Sequence, residues 1–248
     1  MTPSDNVAFH AFPPIRDAST LPREVLVVVA HPDDEVIGLG GLLAFHGRRG
    51  DAVEVVHATG GDKGDPAGKH DDIAAIRQQE VRAALAALEL GEPRSLGFED
   101  GALASSFDAL VASLRDVYTA RRPDVVYSFF PGEYHGDHRT LARACCAARE
   151  ALPVDCRILL FGVNQPVPCG SLWNYSDLVD RKKAALACFK SQLAYLDFAT
   201  KVMERDRAAT VNVEDPSVTH AELLVETSVE SWGEYLRRFD ALEEVSRG

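Results

Sequence analysis

An uninterrupted apolar run at residues 25–30 constrains the fold of this chain more than any other feature. Aliphatic residues without polar alternation indicate a strand covered on both faces, as in a parallel sheet. The sequence His-Pro-Asp-Asp-Glu follows at 31–35, and its proline ends the strand. Open α/β sheets bind ligands beyond the carboxyl ends of their strands. The run therefore predicts an α/β fold with reactive side chains at one sheet edge.

Apolar runs alternate with helical patterns through the first two thirds of the chain. The predicted strands lie at 25–30, 53–58, 94–98, 125–129 and 157–163. The predicted helices lie at 41–49, 73–90, 107–121 and 139–152. This alternation with short links predicts a Rossmann-like, mainly parallel sheet with helices on both faces.

The pattern changes in the last third of the chain. Helices are predicted at 181–190, 193–207 and 231–245, with one strand at 222–225. We expect residues from about 165 to 248 to form a helical and strand cap over the active edge, where substrate selection would occur. The whole chain, 1–248, is predicted to be one domain, with an irregular N-terminal segment at 1–22.

Composition narrows the class of partner. The net charge of −12 disfavours nucleic acid, which is bound through clusters of Lys and Arg. No apolar run reaches the roughly 18 residues of a membrane helix, and the N-terminus lacks the features of a secretory signal. The five cysteines include no C-x-x-C pair and are interpreted as reduced thiols. These features predict a cytoplasmic protein that acts on a small molecule, and they leave homo-oligomerisation open.

Two separated motifs could supply one metal site. His31 and Asp34 are three residues apart across a turn and can converge on one ion. The stretch 135–138, His-Gly-Asp-His, follows another strand and precedes a helix whose expected N-cap is Asp137. Two histidines and one carboxylate with an open position are a common ligand set for catalytic zinc, and they also suit iron(II).

A structural interpretation competes with the metal site. Asp33 and Asp34 could merely cap the helix that follows them, because acidic residues favour helix N-termini. His135 and His138 alone would more often be surface residues at a helix start. The combination of the two motifs favours the metal site.

Further short motifs accompany these two along the chain. They comprise Ala30 before the first motif, Gly38, Gly40 and Gly41, the T-x-G-x-x-G stretch 59–64, Arg77 with Glu80, Asp100 with Gly101, Lys183, and Ser191 with Gln192. With these residues the chain resembles the PIG-L/LmbE family of metal-dependent sugar N-deacetylases. The resemblance implies hydrolytic removal of acetyl from N-acetylglucosamine or its conjugates.

The resemblance also implies a role for each matching residue. It assigns the metal, Zn²⁺ or else Fe²⁺ or another divalent ion, to His31, Asp34 and His138. It makes Asp33 the general base that deprotonates a metal-bound water. It makes His135 the residue that stabilises or protonates the tetrahedral intermediate, with Asp137 tuning His135. It assigns substrate contacts to Arg77 and Asp100. A carboxylate base of this kind is typically worth roughly 10²–10⁴ in rate.

The chain departs from the family pattern at two positions. Gly136 stands where the second motif usually has proline, and Phe189 stands where the late helix usually has histidine. Glycine is permissive in φ and could loosen the loop. Phe189 removes a polar group that could have reached the pocket. Neither change removes a predicted ligand.

Several residues have a simpler interpretation beside the functional one. The glycine-rich stretch 59–64 matches no phosphate-binding motif and is interpreted as a close-approach loop beside the metal site. Arg77 and Glu80 could form an ordinary surface ion pair on one helix. The aromatic residues Trp173, Tyr175, Tyr195 and Trp232 could stack on a sugar, although such residues more often belong to the core.

Two other functions remain open from the sequence. A thiol-conjugate amidase of the same family would use the same metal centre on another amide. A non-catalytic sugar- or nucleotide-binding module would use the sheet alone, because one fold hosts many functions.

Overall fold

The computed structural model describes residues 13–247, with side chains through Val245, and is built around one eight-stranded sheet. The strands are β1 Ile15–Arg16, β2 Glu24–Val29, β3 Ala52–Thr59, β4 Arg94–Phe98, β5 Val125–Phe129, β6 Arg157–Phe161, β7 Ser171–Asn174 and β8 Ala221–Ser228. Their order across the sheet is β1-β7-β8-β6-β5-β2-β3-β4. Strand β8 runs antiparallel to β6 and β7, and the other pairs are parallel.

The central strands bear out the prediction from the apolar runs. Every residue from Val25 to Val29 in β2 and every residue of β5 is buried. Helices cover this part of the sheet on both faces, which is why the strands show no polar alternation. The predicted α/β class and mainly parallel sheet are therefore confirmed.

The order of the strands locates the functional edge. The chain passes from β2 outward to β3 and β4, then returns to place β5 on the other side of β2. The loops after β2 and β5 therefore leave the sheet in opposite directions at neighbouring positions. Such a switch point opens a crevice beyond the carboxyl ends of the strands.

Eight helices of the described chain form two layers on this sheet. They are α1 Asp34–Arg49, α2 Ile73–Ala87, α3 Phe107–Arg121, α4 Gly136–Ala148, α5 Val179–Leu186, α6 Lys190–Leu193, α7 Phe198–Ala208 and α8 Val229–Arg247. Helix α1 packs against α5, and α5 packs against α2 and α7. On the other side, α4 packs against α3 and α8. None of these helices is long and apolar enough to cross a membrane.

Helix α1 begins seven residues earlier than the predicted start at 41, immediately after the first motif. The glycines Gly38, Gly40 and Gly41 lower helix propensity, which favoured the later start. In the structure, a Cβ on Gly38 would lie 2.2 Å from the Phe161 ring, and one on Gly41 would lie 2.2 Å from the Tyr175 ring. Close packing thus explains the glycines and overrides their propensity.

The last third of the chain is partly a cap and partly sheet. The predicted strand at 222–225 is the centre of β8, but β7 was not predicted. The predicted helix at 193–207 is replaced by the short α6 and by α7, separated by a break at 194–197. Of the segment predicted to be irregular, residues 1–12 lie outside the described residues, and the rest includes the two-residue β1.

A buried ion cluster connects this last third to the middle of α1. The Lys182 ammonium lies 2.6 Å from carboxylate oxygens of Asp206 and Glu222. The Glu222 carboxylate in turn accepts hydrogen bonds from the Gly41 and Leu42 amides at 2.7 and 2.9 Å. All three charged side chains are buried. Because each charge is paired, the cluster stabilises the contact between α1, α5, α7 and β8.

Candidate metal centre

Three donor groups from two strand ends converge in the crevice. His31 follows β2, Asp34 begins α1, and His138 lies in the first turn of α4. The His31 Nδ1 atom is 3.3 Å from His138 Nε2 and 3.3 Å from Asp34 Oδ2. The distance between His138 Nε2 and Asp34 Oδ1 is 3.2 Å. The three separations are nearly equal, although they involve both oxygens of the Asp34 carboxylate, and we call these three side chains the donor triangle.

These separations fit a tetrahedral ion. With zinc–nitrogen bonds of about 2.0–2.1 Å, a tetrahedral site separates its ligand atoms by about 3.3–3.4 Å. All three side chains are buried. Among the described residues, two other triads bring their ligand atoms close enough together to hold a metal: His31 with His135 and His138, and His31 with Asp100 and Asp137.

The charges around this centre favour a cation. Burial opposes protonation of His31, but its contacts with Asp100, Asp137 and Asp34 outweigh burial and hold the pKa of His31 well above its usual value. Burial likewise opposes protonation of His138, yet Asp34 raises the pKa of His138 to about 9. Burial would raise the pKa of Asp34, but the two imidazoles lower it well below its ordinary value. Positive charge is stabilised where a metal would lie.

A carboxylate lies behind each of the two histidines. Glu133 Oε2 is 2.8 Å from His138 Nδ1, and Asp100 Oδ1 is 3.0 Å from His31 Nε2. Metal-binding histidines usually have such a partner, which orients the ring and increases its basicity. Asp100, expected at the substrate, thus contacts a ligand side chain and also lines the cavity.

Glu133 is a functional residue that the sequence analysis missed. Its other oxygen accepts a hydrogen bond from the Val163 amide at 2.8 Å, which links the loop after β6 to the loop after β5. The side chain is almost completely buried. Its position five residues before His138 matches no motif spacing, so only the search for a partner of that histidine could have suggested it.

Asp33 lies beside the donor triangle in an unusual backbone conformation. Its φ of 135° falls in a region that L-residues rarely adopt, and its side chain makes no capping hydrogen bond to α1. The capping interpretation of Asp33 is therefore wrong. Burial raises the pKa of Asp33 to about 7, while Arg77 opposes the change. A carboxyl group with a pKa near neutrality can both accept and release a proton.

Arg77 lines the cavity beside Asp33, and its contact with substrate stays a prediction. Its guanidinium is buried, lies 3.0 Å from Asp33 Oδ2, and donates to the carbonyl oxygens of Pro32 and Gly61 at 2.7 and 3.1 Å. It forms no ion pair with Glu80, whose carboxylate instead accepts hydrogen bonds from Ser191. The surface-pair interpretation is wrong, and the main described contact of Arg77 is with Asp33.

The glycine-rich loop makes room for this arginine. A Cβ on Gly61 would lie 2.6 Å from Arg77 Nη1, and one on Gly64 would lie 2.4 Å from the same atom. Gly61 also has a φ of 69°, which favours glycine. The stretch 59–64 is therefore a close-approach loop beside the site, as predicted.

His135 is exposed at the outer side of the centre, whereas Asp137 is buried with its carboxylate 3.5 Å from His31 Nε2. His135, not Asp137, is the N-cap of α4, since its Nδ1 atom accepts from the Asp137 amide at 3.2 Å. The expectation that Asp137 caps this helix was wrong, because its carboxylate accepts from the Gly101 amide at 2.6 Å. Partial burial, together with the neighbouring His31 and His138, lowers the pKa of His135.

Glu35 supports the turn from below. Its Oε2 atom is 3.0 Å from His57 Nε2 and accepts a hydrogen bond from the Asp33 amide at 3.3 Å. Both side chains are fully buried. His57 therefore supports the turn from within the core.

The donor triangle lies at the floor of a cavity of about 550 Å³. Among the four aromatic residues considered as sugar platforms, only Tyr195 lines this cavity, whereas Trp173, Tyr175 and Trp232 are buried in the core. Phe189 is also buried in the core. Gly136 begins α4, and a Cβ there would meet no other atom within 4 Å. The two departures from the family motifs therefore leave the donor geometry intact.

The fold and this centre define an α/β protein with a doubly wound sheet and, at its switch point, a histidine–carboxylate cluster that could hold a metal. The family profile described as PIG-L, GlcNAc-PI de-N-acetylase, matches residues 26–149. The chain belongs to this family. The matched region contains all the predicted ligands.

Named relatives agree with this assignment. The chain is 29% identical over 202 residues to a Bacillus cereus protein named "Probable N-acetyl-alpha-D-glucosaminyl L-malate deacetylase 2", covering 75% of this chain and 92% of that protein. It is 30% identical over 184 residues to the 1D-myo-inositol 2-acetamido-2-deoxy-alpha-D-glucopyranoside deacetylase of Rhodococcus jostii. That match covers 63% of this chain but only 60% of the relative.

A solved structure shows that the fold extends beyond deacetylases. The 4-carboxy-2-hydroxymuconate hydratase GalB from Pseudomonas putida KT2440 superposes with a TM-score of 0.69 at 26% identity. The match covers 82% of this chain and 95% of that one. Because one fold carries two named reactions, the function has to be argued from the site.

Proposed function

We propose that this chain is a zinc-dependent hydrolase that removes acetyl, or another small acyl group, from an N-acetylated amino sugar or its conjugate. The observation that carries the proposal is the donor triangle of His31, Asp34 and His138 with the Asp33 carboxylate beside it. An amide is unreactive toward water at neutral pH, and a bound cation with a base beside it is one arrangement that accelerates its hydrolysis.

Each side chain has a distinct role in this reaction. His31, Asp34 and His138 would hold the ion, which when bound supplies a Lewis acid and an acidic water. Asp33 accepts the proton of the attacking water and carries it toward the leaving amine. Arg77, through its 3.0 Å ion pair, keeps the Asp33 carboxylate directed at the cavity. His135, at the outer side of the centre, is placed to donate a proton or hydrogen bond to the oxygen that becomes negative.

The identities of the relatives support the substrate class. Both named relatives are deacetylases of N-acetylglucosaminyl conjugates, one with malate and one with inositol. The cavity volume is in the range of small-molecule sites, about 300–1,000 Å³. The role of Asp100 in contacting the sugar stays a prediction, since its described partners are His31 and the Lys63 amide.

The hydratase neighbour provides a second candidate reaction. Addition of water to a carbon–carbon double bond would use the same cation and the same base, and its substrate would carry carboxylates rather than an amide. The thiol-conjugate amidase differs only in the amide that is cleaved. A non-catalytic module predicts no activity and no effect of the donor triangle on ligand affinity.

The test measures metal content and product release together. Purified protein is analysed for bound metal, then assayed for amine and acetate release from N-acetylglucosamine and its conjugates, with 4-carboxy-2-hydroxymuconate as the comparison substrate. Asp33→Asn should retain about one metal per chain and lose roughly 10²–10⁴ in kcat. His138→Ala should lose the metal. Full activity in Asp33→Asn would refute the base assignment, and hydration without acetate release would refute the deacetylase.

Cysteine chemistry supports the expected compartment. All five cysteines are free, and three of them are buried. Burial raises the pKa of Cys145 to about 11, so this thiol stays protonated and unreactive at neutral pH. We propose a cytoplasmic location on this ground, and fractionation of the native host with thiol labelling would test it.

A further inference from the structure

One wall of the cavity is formed by a single face of α7. Phe198, Lys201, Val202 and Arg205 all line the cavity. Their spacing of three, four and seven residues places them on the same side of a helix. Phe198 and Val202 are buried and fix the helix against the core, so the two cations are held at the cavity surface.

The charges of the cavity are unevenly distributed. Its acidic residues, Asp33, Asp34 and Asp100, belong to the metal centre and are already engaged with Arg77 or the histidines. The remaining charged side chains of the lining are Lys63, Lys201 and Arg205, which we call the cation wall. A wall of one sign is notable because the whole chain carries a net charge of −12.

The three cations differ in how many hydrogen bonds and ion pairs they form. Arg205 is anchored, since it donates to the carbonyl oxygens of Ile37 and Val163 and lies 3.1 Å from an Asp206 oxygen. The Lys63 ammonium forms only an exposed ion pair with Glu99 at 3.3 Å. Lys201 forms no ion pair with any acid in residues 13–245.

Lys201 and Arg205 are also four residues apart on one helix. Like charges at this spacing destabilise a helix by a few tenths of a kcal/mol. An anion bound in the cavity would remove this repulsion and accept charge-assisted hydrogen bonds, which are the stronger kind. The Asp197 carboxylate, four residues before Lys201, offsets part of this repulsion, and a bound anion would add to that effect.

We propose that the cation wall binds an acidic group, a carboxylate or a phosphate, on the part of the conjugate that is joined to the amino sugar. This inference rests on the proposed function and specifies its substrate class. The acyl amide would lie over the metal centre, while the acidic group lies against Lys201 and Lys63. A neutral conjugate such as an inositol glycoside would leave Lys63 with only its ion pair to Glu99 and would give Lys201 no counter-charge.

The test compares three matched conjugates of N-acetylglucosamine, with a carboxylate, a phosphate monoester or a neutral hydroxyl group in the attached part. The wild type should show a higher kcat/KM for an acidic conjugate than for the neutral one. Lys201→Ala should lower the ratio of acidic to neutral kcat/KM about tenfold, as expected for the loss of one charge-assisted contact. The acid whose rate depends more on Lys201 identifies the natural group.

Arg207→Ala is the matched control. Arg207 lies on the same helix, is exposed and is not part of the cavity lining, so this substitution removes the same charge without touching the wall. It should leave the ratio unchanged. The preference of the wild type should also weaken as salt is raised, because screening shortens the range of charge interactions.

Binding provides a readout that does not require turnover. Zinc-loaded Asp33→Asn protein should bind the acidic conjugate more tightly than the neutral one by calorimetry, and the added Lys201→Ala should abolish the difference. Equal affinities, or a preference that survives Lys201→Ala, would overturn the cation wall. Acidic preference in binding without acetate release in the wild type would retain the wall and reject the deacetylase.

Discussion

Two buried groups of charged side chains lie along α1, and they differ in how completely their polar atoms are paired with one another. In the ion cluster at its middle, Lys182 is bonded to Asp206 and Glu222, and the free oxygen of Glu222 accepts the Leu42 amide. In the metal centre at its N-terminus, donor atoms of His31 and His138 face one another at 3.3 Å. These two nitrogens are predicted to bind a metal, and without one they stabilise each other little.

The difference shows how a structural and a functional polar cluster can be told apart. The ion cluster completes its own hydrogen bonds and keeps regular helix around it. In the metal centre, the donor atoms lie close together without pairing fully. The pKa of Asp33 is raised and that of the neighbouring Asp34 is lowered, and Asp33 has a φ of 135°. Such departures concentrate at functional sites, where the surrounding structure maintains them.

The largest effect is expected from opening the ion cluster. Lys182→Met leaves the buried Glu222 carboxylate without a cation and leaves Asp206 paired with Arg205 alone, which should lower the free energy of unfolding by about 3–5 kcal/mol. Lys183→Met is the control, because this neighbour is exposed on the same helix. Urea unfolding measures both. If the comparison is correct, folded Lys182→Met still binds one metal, and a variant as stable as wild type would contradict it.

A smaller effect is expected from neutralising Glu133, the carboxylate that contacts His138 in the metal centre. Glu133→Gln weakens the acceptor that orients His138, so metal affinity should fall roughly 10–100-fold. Competition with a chelating dye measures the affinity, and thermal unfolding in excess chelator monitors the fold. Glu243→Gln removes a charge of the same sign from the pocket that Glu133 also lines and is the control. An unchanged metal affinity in Glu133→Gln would show that the ring is oriented by other contacts.

The smallest effect concerns the backbone of Asp33. Asp33→Gly and Asp33→Ala both remove the carboxylate and its ion pair with Arg77, but only glycine adopts a φ of 135° easily. The glycine variant should therefore be more stable than the alanine variant by about 1–3 kcal/mol. Both should be inactive. Equal unfolding midpoints at equal m-values would show that this conformation carries no strain.

Much of this architecture was predictable from the sequence because the signals were local. Long apolar runs predicted the buried strands β2 and β5, and the polar residues directly after them predicted which loops would meet. Residues 31–35 and 135–138 lie far apart in the chain, yet the rule that ligands bind at the carboxyl ends of strands brings them together.

The features that were not predicted depend on contacts between distant segments. The helical state of Gly38, which precedes the predicted helix start at 41, depends on the Phe161 ring that packs on it. The partner of Arg77 is Asp33 rather than Glu80, which no spacing on α2 could reveal. Glu133 carries no pattern at all, because a buried glutamate in a loop resembles a surface one until its histidine is located.

The antiparallel placement of β8 between β6 and β7 has a consequence for any attempt to transplant the catalytic half of this protein. The segment recognised by the family profile ends at residue 149, before β6, β7 and β8. An excised fragment of that extent would lose Phe161 from the groove of α1 and the Glu222 oxygens from its amides. Such a fragment would contain all the predicted ligands, but α1, which positions Asp34, would have lost its contacts with Phe161 and Glu222.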